Sequence, residues 1–166
     1  QSETITLTAP TPGYSSVLLS LCDATSCSER VIDLEVVSLP DLEITDLVLG
    51  DASSGAFTEM NAAENGQFLT ARVYVGNYGF TSAEMVTIRC TVNGQTADIS
   101  SIPTLGPGEI AVTECSFQAP FDGTFMTVDA IVDGGEVIDE RNESNNEIEA
   151  SLTLSPVSYT HLRAHE

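Results

Sequence analysis

Apolar and polar residues alternate with a period of two along most of this 166-residue chain, and helical spacing is hard to find. Successive side chains of a β-strand point to opposite faces, so such alternation predicts strands with one buried face. Seven such segments, joined by turn residues, predict an all-β chain containing an antiparallel β-sandwich. The segments are Leu42–Leu49, Phe68–Val75, Val86–Val92, Thr96–Ile102, Ile110–Phe117, Phe125–Val132 and Glu147–Leu154.

The same alternation predicts which side chains fill the core. On five of the strands the inward positions are apolar apart from one threonine. The polar, glycine-containing segment 51–66 is predicted to be a loop. The inward positions are Leu69, Ala71, Val73 and Val75; Val86, Ile88, Cys90 and Val92; Ala111, Thr113, Cys115 and Phe117; Met126, Val128, Ala130 and Val132; and Ile148, Ala150, Leu152 and Leu154.

Residues 1–39 carry three more alternating segments, Thr4–Thr8, Val17–Leu21 and Ile32–Val36. A sandwich of this kind needs about seven strands, so three cannot close one. We therefore expect residues 1–39 to be the C-terminal fragment of a preceding domain. The short linker Ser38–Pro40 would join it to a complete domain at residues 40–155.

The chain is strongly acidic, with 25 Asp and Glu against 5 Arg and no Lys, for a formal net charge of −20. Such a charge repels nucleic acid and anionic membrane surfaces, so we expect neither as a partner. No apolar run approaches the roughly 20 residues that span a bilayer, so membrane insertion is not expected. An acidic extracellular surface and adaptation to a salty habitat would both account for the charge.

The last residues do not continue the strand pattern. Val157–Glu166 resemble a translated sequencing adapter, which also overlaps the codon of Pro156. We therefore expect Pro156–Glu166 to be a non-native tail, with a genuine C-terminal tail as the alternative. Both histidines, His161 and His165, lie in this segment. The rest of the chain therefore contains neither histidine nor lysine.

This composition argues against catalysis. Without histidine there is no Ser–His or Cys–His pair and no imidazole metal ligand, and without lysine there is no Schiff-base nucleophile. A glycine-rich phosphate loop followed by lysine is also absent. The sequence therefore predicts a non-enzymatic domain.

Residues 40–155 carry four short motifs: Pro40-Asp41-Leu42, Asn77-Tyr78-Gly79, Leu105-Gly106-Pro107-Gly108-Glu109, and Val132-Asp133 followed by Glu140-Arg141-Asn142-Glu143-Ser144-Asn145-Asn146. With these motifs the segment resembles CARDB, the cell-adhesion-related domain found in bacteria. The resemblance implies a seven-stranded immunoglobulin-like (Ig-like) sandwich, found in tandem arrays on secreted proteins, with neighbouring Ig-like repeats of the same chain as partners. It implies no particular ligand.

The N-terminal segment carries a second, shorter resemblance. Pro12-Gly13-Tyr14 starting a strand, followed by a turn between Cys22 and Cys27, resembles the last two strands of a PKD-type Ig-like repeat. The resemblance covers residues 12–37.

Four cysteines fit two disulfides in an oxidising compartment. Cys90 and Cys115 take inward positions where CARDB domains usually place large apolar residues, on strands that the resemblance puts in opposite sheets. We expect a Cys90–Cys115 bridge across the core, worth roughly 3 kcal/mol for a loop of about 24 residues. Two buried free thiols are the alternative. Cys22–Cys27 would be a local hairpin bridge.

The segment before the last strand is the one candidate for site chemistry. Its carboxylates Asp133, Glu136, Asp139 and Glu143 are of the type that Ca²⁺ selects, although their spacing is not that of an EF-hand. The alternative is that Asn142, Asn145 and Asn146 hydrogen-bond the loop backbone while the acids stay solvated. Asn142-Glu143-Ser144 also matches a glycosylation sequon. No other cofactor is expected.

These observations predict an extracellular, secreted or cell-surface module that acts as a spacer or adhesive repeat of a larger protein. A Ca²⁺-dependent or glycan-binding module is a second hypothesis. The aromatic rings of Tyr74, Tyr78 and Phe80 would then form a stacking platform, unless they cover strand edges. A third hypothesis is an accessory domain of a secreted hydrolase. A cell-surface protein or a glycan is the ligand class that the first two hypotheses imply.

Overall fold

The computed structural model describes residues 12–36 and 38–156, which form eleven β-strands and no helix. The chain divides into two compact units, residues 1–39 and residues 40–166. The predicted strand Thr4–Thr8 and residues 157–166 of the predicted tail lie outside the described residues. The strands are β1 (Gly13–Cys22), β2 (Cys27–Val36), β3 (Leu42–Asp51), β4 (Thr58–Glu59), β5 (Ala62–Glu64), β6 (Phe68–Asn77), β7 (Ala83–Val92), β8 (Gln95–Leu105), β9 (Ile110–Gln118), β10 (Phe125–Val132) and β11 (Glu147–Ser155).

The described part of the first unit is an antiparallel hairpin of β1 and β2. Its turn is built by Asp23, whose Oδ1 accepts hydrogen bonds from the backbone N–H of Thr25 at 2.7 Å and of Ser26 at 2.8 Å. These bonds hold the pKa of Asp23 below its ordinary value. A disulfide joins Cys22 to Cys27 across the turn. That the hairpin belongs to a PKD-type repeat stays a prediction.

The second unit is a sandwich of two sheets. One has the strand order β4-β3-β6-β9 and the other β5-β11-β10-β7-β8. All pairings are antiparallel except that of β5 with β11. The seven predicted strands are confirmed, each within a few residues of its predicted ends. The prediction of an uninterrupted loop over 51–66 is wrong, because β4 pairs with the end of β3 and β5 pairs with the end of β11. Both strands are too short to show alternation.

The predicted inward side chains form the core between the two sheets. Those of β6 and β10, the strands flanked on both sides along their length, are all buried. Val92 of β7, Ala111 and Thr113 of β9, and Ile148 and Ala150 of β11 are only partly buried. The reason is position: Val92 is the last residue of β7, β9 is an edge strand, and β5 covers only the C-terminal end of β11.

The Cys90–Cys115 disulfide joins β7 in one sheet to β9 in the other. Both cysteines are 0% exposed. The predicted bridge across the core is therefore present in the structure, and it ties the two layers of the sandwich together covalently.

Candidate functional site

The four sequence motifs meet at one end of the sandwich, around the start of β3. We call this group the β3 clamp. Its parts come from the segment before β3, the turn after β6, the β8–β9 turn and the β10–β11 loop. Its members are Pro40, Asp41, Leu42, Asn77, Gly79, Leu105, Glu140, Arg141, Asn145 and Asn146.

Asn77 is the hub of the β3 clamp. Its side chain is fully buried, and its Oδ1 accepts hydrogen bonds from the backbone N–H of Asp41 at 3.1 Å and of Gly79 at 3.0 Å. Its Nδ2 donates to the carbonyls of Thr81 at 2.8 Å and Leu105 at 2.9 Å. All four hydrogen-bonding positions of the amide are used, so one side chain holds three separate segments together.

Because Gly79 has no side chain, the backbone of Pro40 and Asp41 can pass close to its Cα. A Cβ at this position would lie 2.4 Å from both the Cα and the carbonyl carbon of Pro40. These are backbone atoms that cannot turn away as a side-chain tip could. The tyrosine between Asn77 and Gly79 contributes its backbone, because Tyr78 N–H donates to the Asp41 carbonyl at 2.8 Å.

Glu140 holds β3 from the other side. It is a buried carboxyl, 8% exposed, that accepts a hydrogen bond from the backbone N–H of Leu42 and one from Asn146 Nδ2 at 3.0 Å. Burial raises the pKa of Glu140 to about 7. The negative charges of Glu143 and Asp133 raise this pKa further, whereas the two hydrogen bonds lower it. Glu140 lies in the fourth motif, but its own role was not predicted, because an acid in an acid-rich loop resembles its solvated neighbours.

Two neighbours of Glu140 complete the clamp. Arg141 N–H donates to the Pro40 carbonyl at 3.0 Å, and its guanidinium lies 3.7 Å from the Asp41 carboxylate. Asn145 Nδ2 donates to the same carboxylate at 3.2 Å. The segment from Pro40 to Leu42, where β3 begins, is therefore hydrogen-bonded on both sides.

The three asparagines predicted to structure the β10–β11 loop do so with different partners. Asn142 Oδ1 accepts hydrogen bonds from the backbone N–H of Ser144 at 3.2 Å and from its hydroxyl at 2.6 Å, as a loop-building asparagine would. The amides of Asn145 and Asn146 instead donate to the carboxylates of Asp41 and Glu140. Asn145 therefore ties the loop to the residue before β3, whereas Asn146 holds the side chain of Glu140 within the loop.

The four predicted Ca²⁺ ligands do not act as one set. Asp133 is buried, and its Oδ2 accepts the Ile138 N–H at 2.7 Å. Glu143 Oε1 accepts the Glu140 N–H at 2.9 Å. Asp133, Glu136 and Glu143 line a common cleft of about 350 Å³, whereas Asp139 is exposed and does not line it. Within residues 12–36 and 38–156, no three His, Cys, Asp or Glu side chains are close enough to hold a metal ion among themselves.

Two of the three rings considered for a glycan platform cover other groups. The Tyr78 ring lies over Gly76, where an added Cβ would come within 2.8 Å of it. The Arg141 guanidinium lies over the Phe80 ring, 4.7 Å from the ring centroid. Tyr74 is partly buried on β6. Tyr78 and Phe80 stay 48% and 42% exposed, so each offers only part of its surface to a ligand.

The family model described as CARDB matches residues 39–150, which include all four motifs. This chain belongs to the CARDB family. Among curated proteins, none matches it.

Solved structures agree with the family. The CARDB domain of a Pyrococcus furiosus protein, crystallised in complex with di-metal ions, has a TM-score of 0.58 at 20% identity, covering 74% of this chain and 98% of that one. A solution structure of the P. furiosus CARDB domain gives 0.56 at 21% identity, with 71% and 97% covered. A domain of a candidate cell surface protein from Methanosarcina acetivorans gives 0.50 at 20% identity, with 74% and 98% covered. At these identities the likeness shows the fold.

Membership in the CARDB family supports the coarse function. CARDB domains are non-enzymatic Ig-like domains, which favours a non-catalytic module. Its two disulfides are compatible with an extracellular location. No helix able to cross a membrane occurs in residues 12–36 and 38–156.

Proposed function

We propose that this CARDB domain is a stiff, load-bearing spacer repeat of a larger secreted or cell-surface protein. The observation that carries the proposal is the β3 clamp, which fixes the chain where it begins the sandwich. A spacer transmits orientation and force only if its first and last strands are held firmly. The motif residues of the clamp are engaged in that task and are largely buried, which favours a structural role over ligand binding.

The last strand supports the same role. β11 pairs with β10 from Glu147 to Thr153, and its end pairs with β5 in parallel register from Thr153 to Ser155. The Asn65 N–H extends this pairing by donating to the Ser155 carbonyl at 2.9 Å. Leu154 N–H also donates to the Thr124 carbonyl at 2.8 Å. A load along β11 must therefore break its pairing with β5 at the end of the strand as well as its ladder with β10.

The partners follow from this role. We expect neighbouring Ig-like repeats of the same chain on either side of the domain, and an extracellular, secreted or surface location. A cell-surface protein or a glycan would be the adhesive ligand of the whole protein. This domain's partly covered Tyr78 and Phe80 give little support to a sugar-stacking platform of its own.

Single-molecule pulling on the full chain, held at its two termini, tests the proposal. The wild type should unfold in one step at a well-resolved force. Asn77→Ala should lower that force, because it removes the four hydrogen bonds that join Asp41, the turn after β6 and the β8–β9 turn.

The matched control is Asn93→Gly. Asn93 accepts one backbone hydrogen bond, from Thr127 at 2.9 Å, at the opposite end of β7 from the clamp. This variant should unfold near the wild-type force. A wild type that extends without a force peak, or an Asn77→Ala variant that unfolds at the same force, would contradict the spacer proposal.

A further inference from the structure

The cleft beside the β10–β11 loop is strongly acidic. Four carboxylate residues line it, together with Asn146 and Arg89. The lining acids are Asp133, Glu136, Glu143 and Glu147. Four negative charges against one positive charge make the cleft attractive to cations.

Asn146 supplies a second, independent observation. The residue is 8% exposed, and its Oδ1 is buried without a hydrogen-bond partner. A buried amide oxygen left unpaired costs about 1–3 kcal/mol. Such orphaned oxygens are usually satisfied by a water or an ion. The Nδ2 of the same amide donates to Glu140 and fixes the orientation of the group.

The carboxylates beside Asn146 keep oxygens free. Asp133 uses Oδ2 for the Ile138 N–H and Glu143 uses Oε1 for the Glu140 N–H, which leaves one oxygen of each for a ligand. Asp133 is 2% exposed, and its backbone adopts a positive φ of 44°. Its side chain is therefore held in place before any ligand arrives.

We propose that this cleft binds a hard divalent cation such as Ca²⁺, with Asp133, Glu143 and the Oδ1 of Asn146 as protein ligands. Ca²⁺ takes six to eight oxygens and accepts amide oxygens and waters among them. Two carboxylates and one amide leave the remaining positions to water. Dissociation constants of about 10⁻⁴ to 10⁻³ M are typical of extracellular modules, and a site of this make-up belongs in that range. The Arg89 guanidinium beside Gly134 keeps the affinity low.

A titration of the ¹⁵N-labelled full chain with Ca²⁺ alone, followed by NMR, tests the proposal. We expect saturable shifts centred on the amides of residues 133–146 and on the side-chain NH₂ of Asn146. Asp133→Asn and Glu143→Gln should each weaken binding about tenfold or more. Asn at position 133 keeps an acceptor for Ile138 and tolerates positive φ, so the variant is expected to fold.

Asp139→Asn is the matched control, because Asp139 lies in the same loop but outside the cleft. It should bind Ca²⁺ like the wild type. Weak, non-saturating shifts spread over the acidic surface, or a Glu143→Gln variant that binds as the wild type does, would overturn the proposal. Because Glu143 is exposed, its variant folds in either case. The spacer role does not depend on this outcome.

Discussion

Gly79 lies where the backbone of Pro40 and Asp41 passes over the turn after β6. Gly79→Ala should destabilise the domain by about 1–3 kcal/mol, because the new methyl group would overlap backbone atoms of Pro40. Chemical denaturation measures the change. Gly135→Ala is the control: its Cβ would meet only Val137 Cγ2, at 3.4 Å, and its stability should stay within about 0.5 kcal/mol of the wild type.

Glu140 makes stability depend on pH in an unusual direction. Its pKa is about 7 in the folded protein against 4.5 ordinarily, so the folded state holds the proton more tightly than the unfolded state. The stability gained from this group is fully present below about pH 4.5 and is lost as pH rises through about 7.

Glu140→Gln isolates that contribution, because glutamine keeps an acceptor for Leu42 without the charge. In chelator-containing buffer, the free energy of unfolding of the wild type relative to the variant should fall between pH 4.5 and 7. Chemical denaturation of the wild type and the variant at several pH values between 4.5 and 7 measures this difference. A difference that is constant or that rises with pH would show that Glu140 is not a buried, protonatable carboxyl.

Sequence reasoning at the residue scale succeeded for apolar positions and failed for Glu140. Alternation identifies a core residue such as Val73, because burying one face of a strand imposes a period of two. No local pattern separates Glu140 from Glu143, three residues later. What distinguishes them is a contact with Leu42, 98 positions away in the chain.

At the scale of elements, the Cys90–Cys115 disulfide joins strands of opposite sheets. Replacing both cysteines by alanine should cost about 3–3.5 kcal/mol, the loop-closure value for about 25 residues. Replacing Cys22 and Cys27 should leave the unfolding of the sandwich unchanged, because that bridge lies in the first unit. Thermal unfolding of both double variants checks this. Equal destabilisation by the two would contradict it.

The strands themselves were predictable where they bury a face. All seven alternating segments form strands, because each is long enough for the period to show. β4 and β5, with two and three residues, carry no period and are defined by their pairing with β3 and β11. The convergence of the four motifs on β3 was likewise beyond local reasoning, since it depends on the packed arrangement of both sheets.

At the scale of the whole molecule, a net charge of −20 opposes compaction. Asp129 of β10 lies directly opposite Glu149 of β11, a like-charge pair that costs about 0.2–1 kcal/mol. Raising NaCl from low to molar concentration should therefore raise the melting temperature. Glu149→Gln should shrink that salt-dependent gain more than Glu59→Gln, whose residue lies opposite Gly50. If the melting temperatures of both variants rose equally with NaCl, the salt dependence would come from net charge alone and not from the Asp129–Glu149 pair.

In the folded domain the CARDB motifs hold the start of β3 as firmly as the core. Native-state hydrogen exchange on the amides of Asp41 and Leu42 measures how firmly it is held. Their acceptors are Asn77 and Glu140, so we predict protection close to that of the β6 and β10 amides. Exchange as fast as that of the exposed residues 53–55 would show that the clamp is open in solution and would contradict the account.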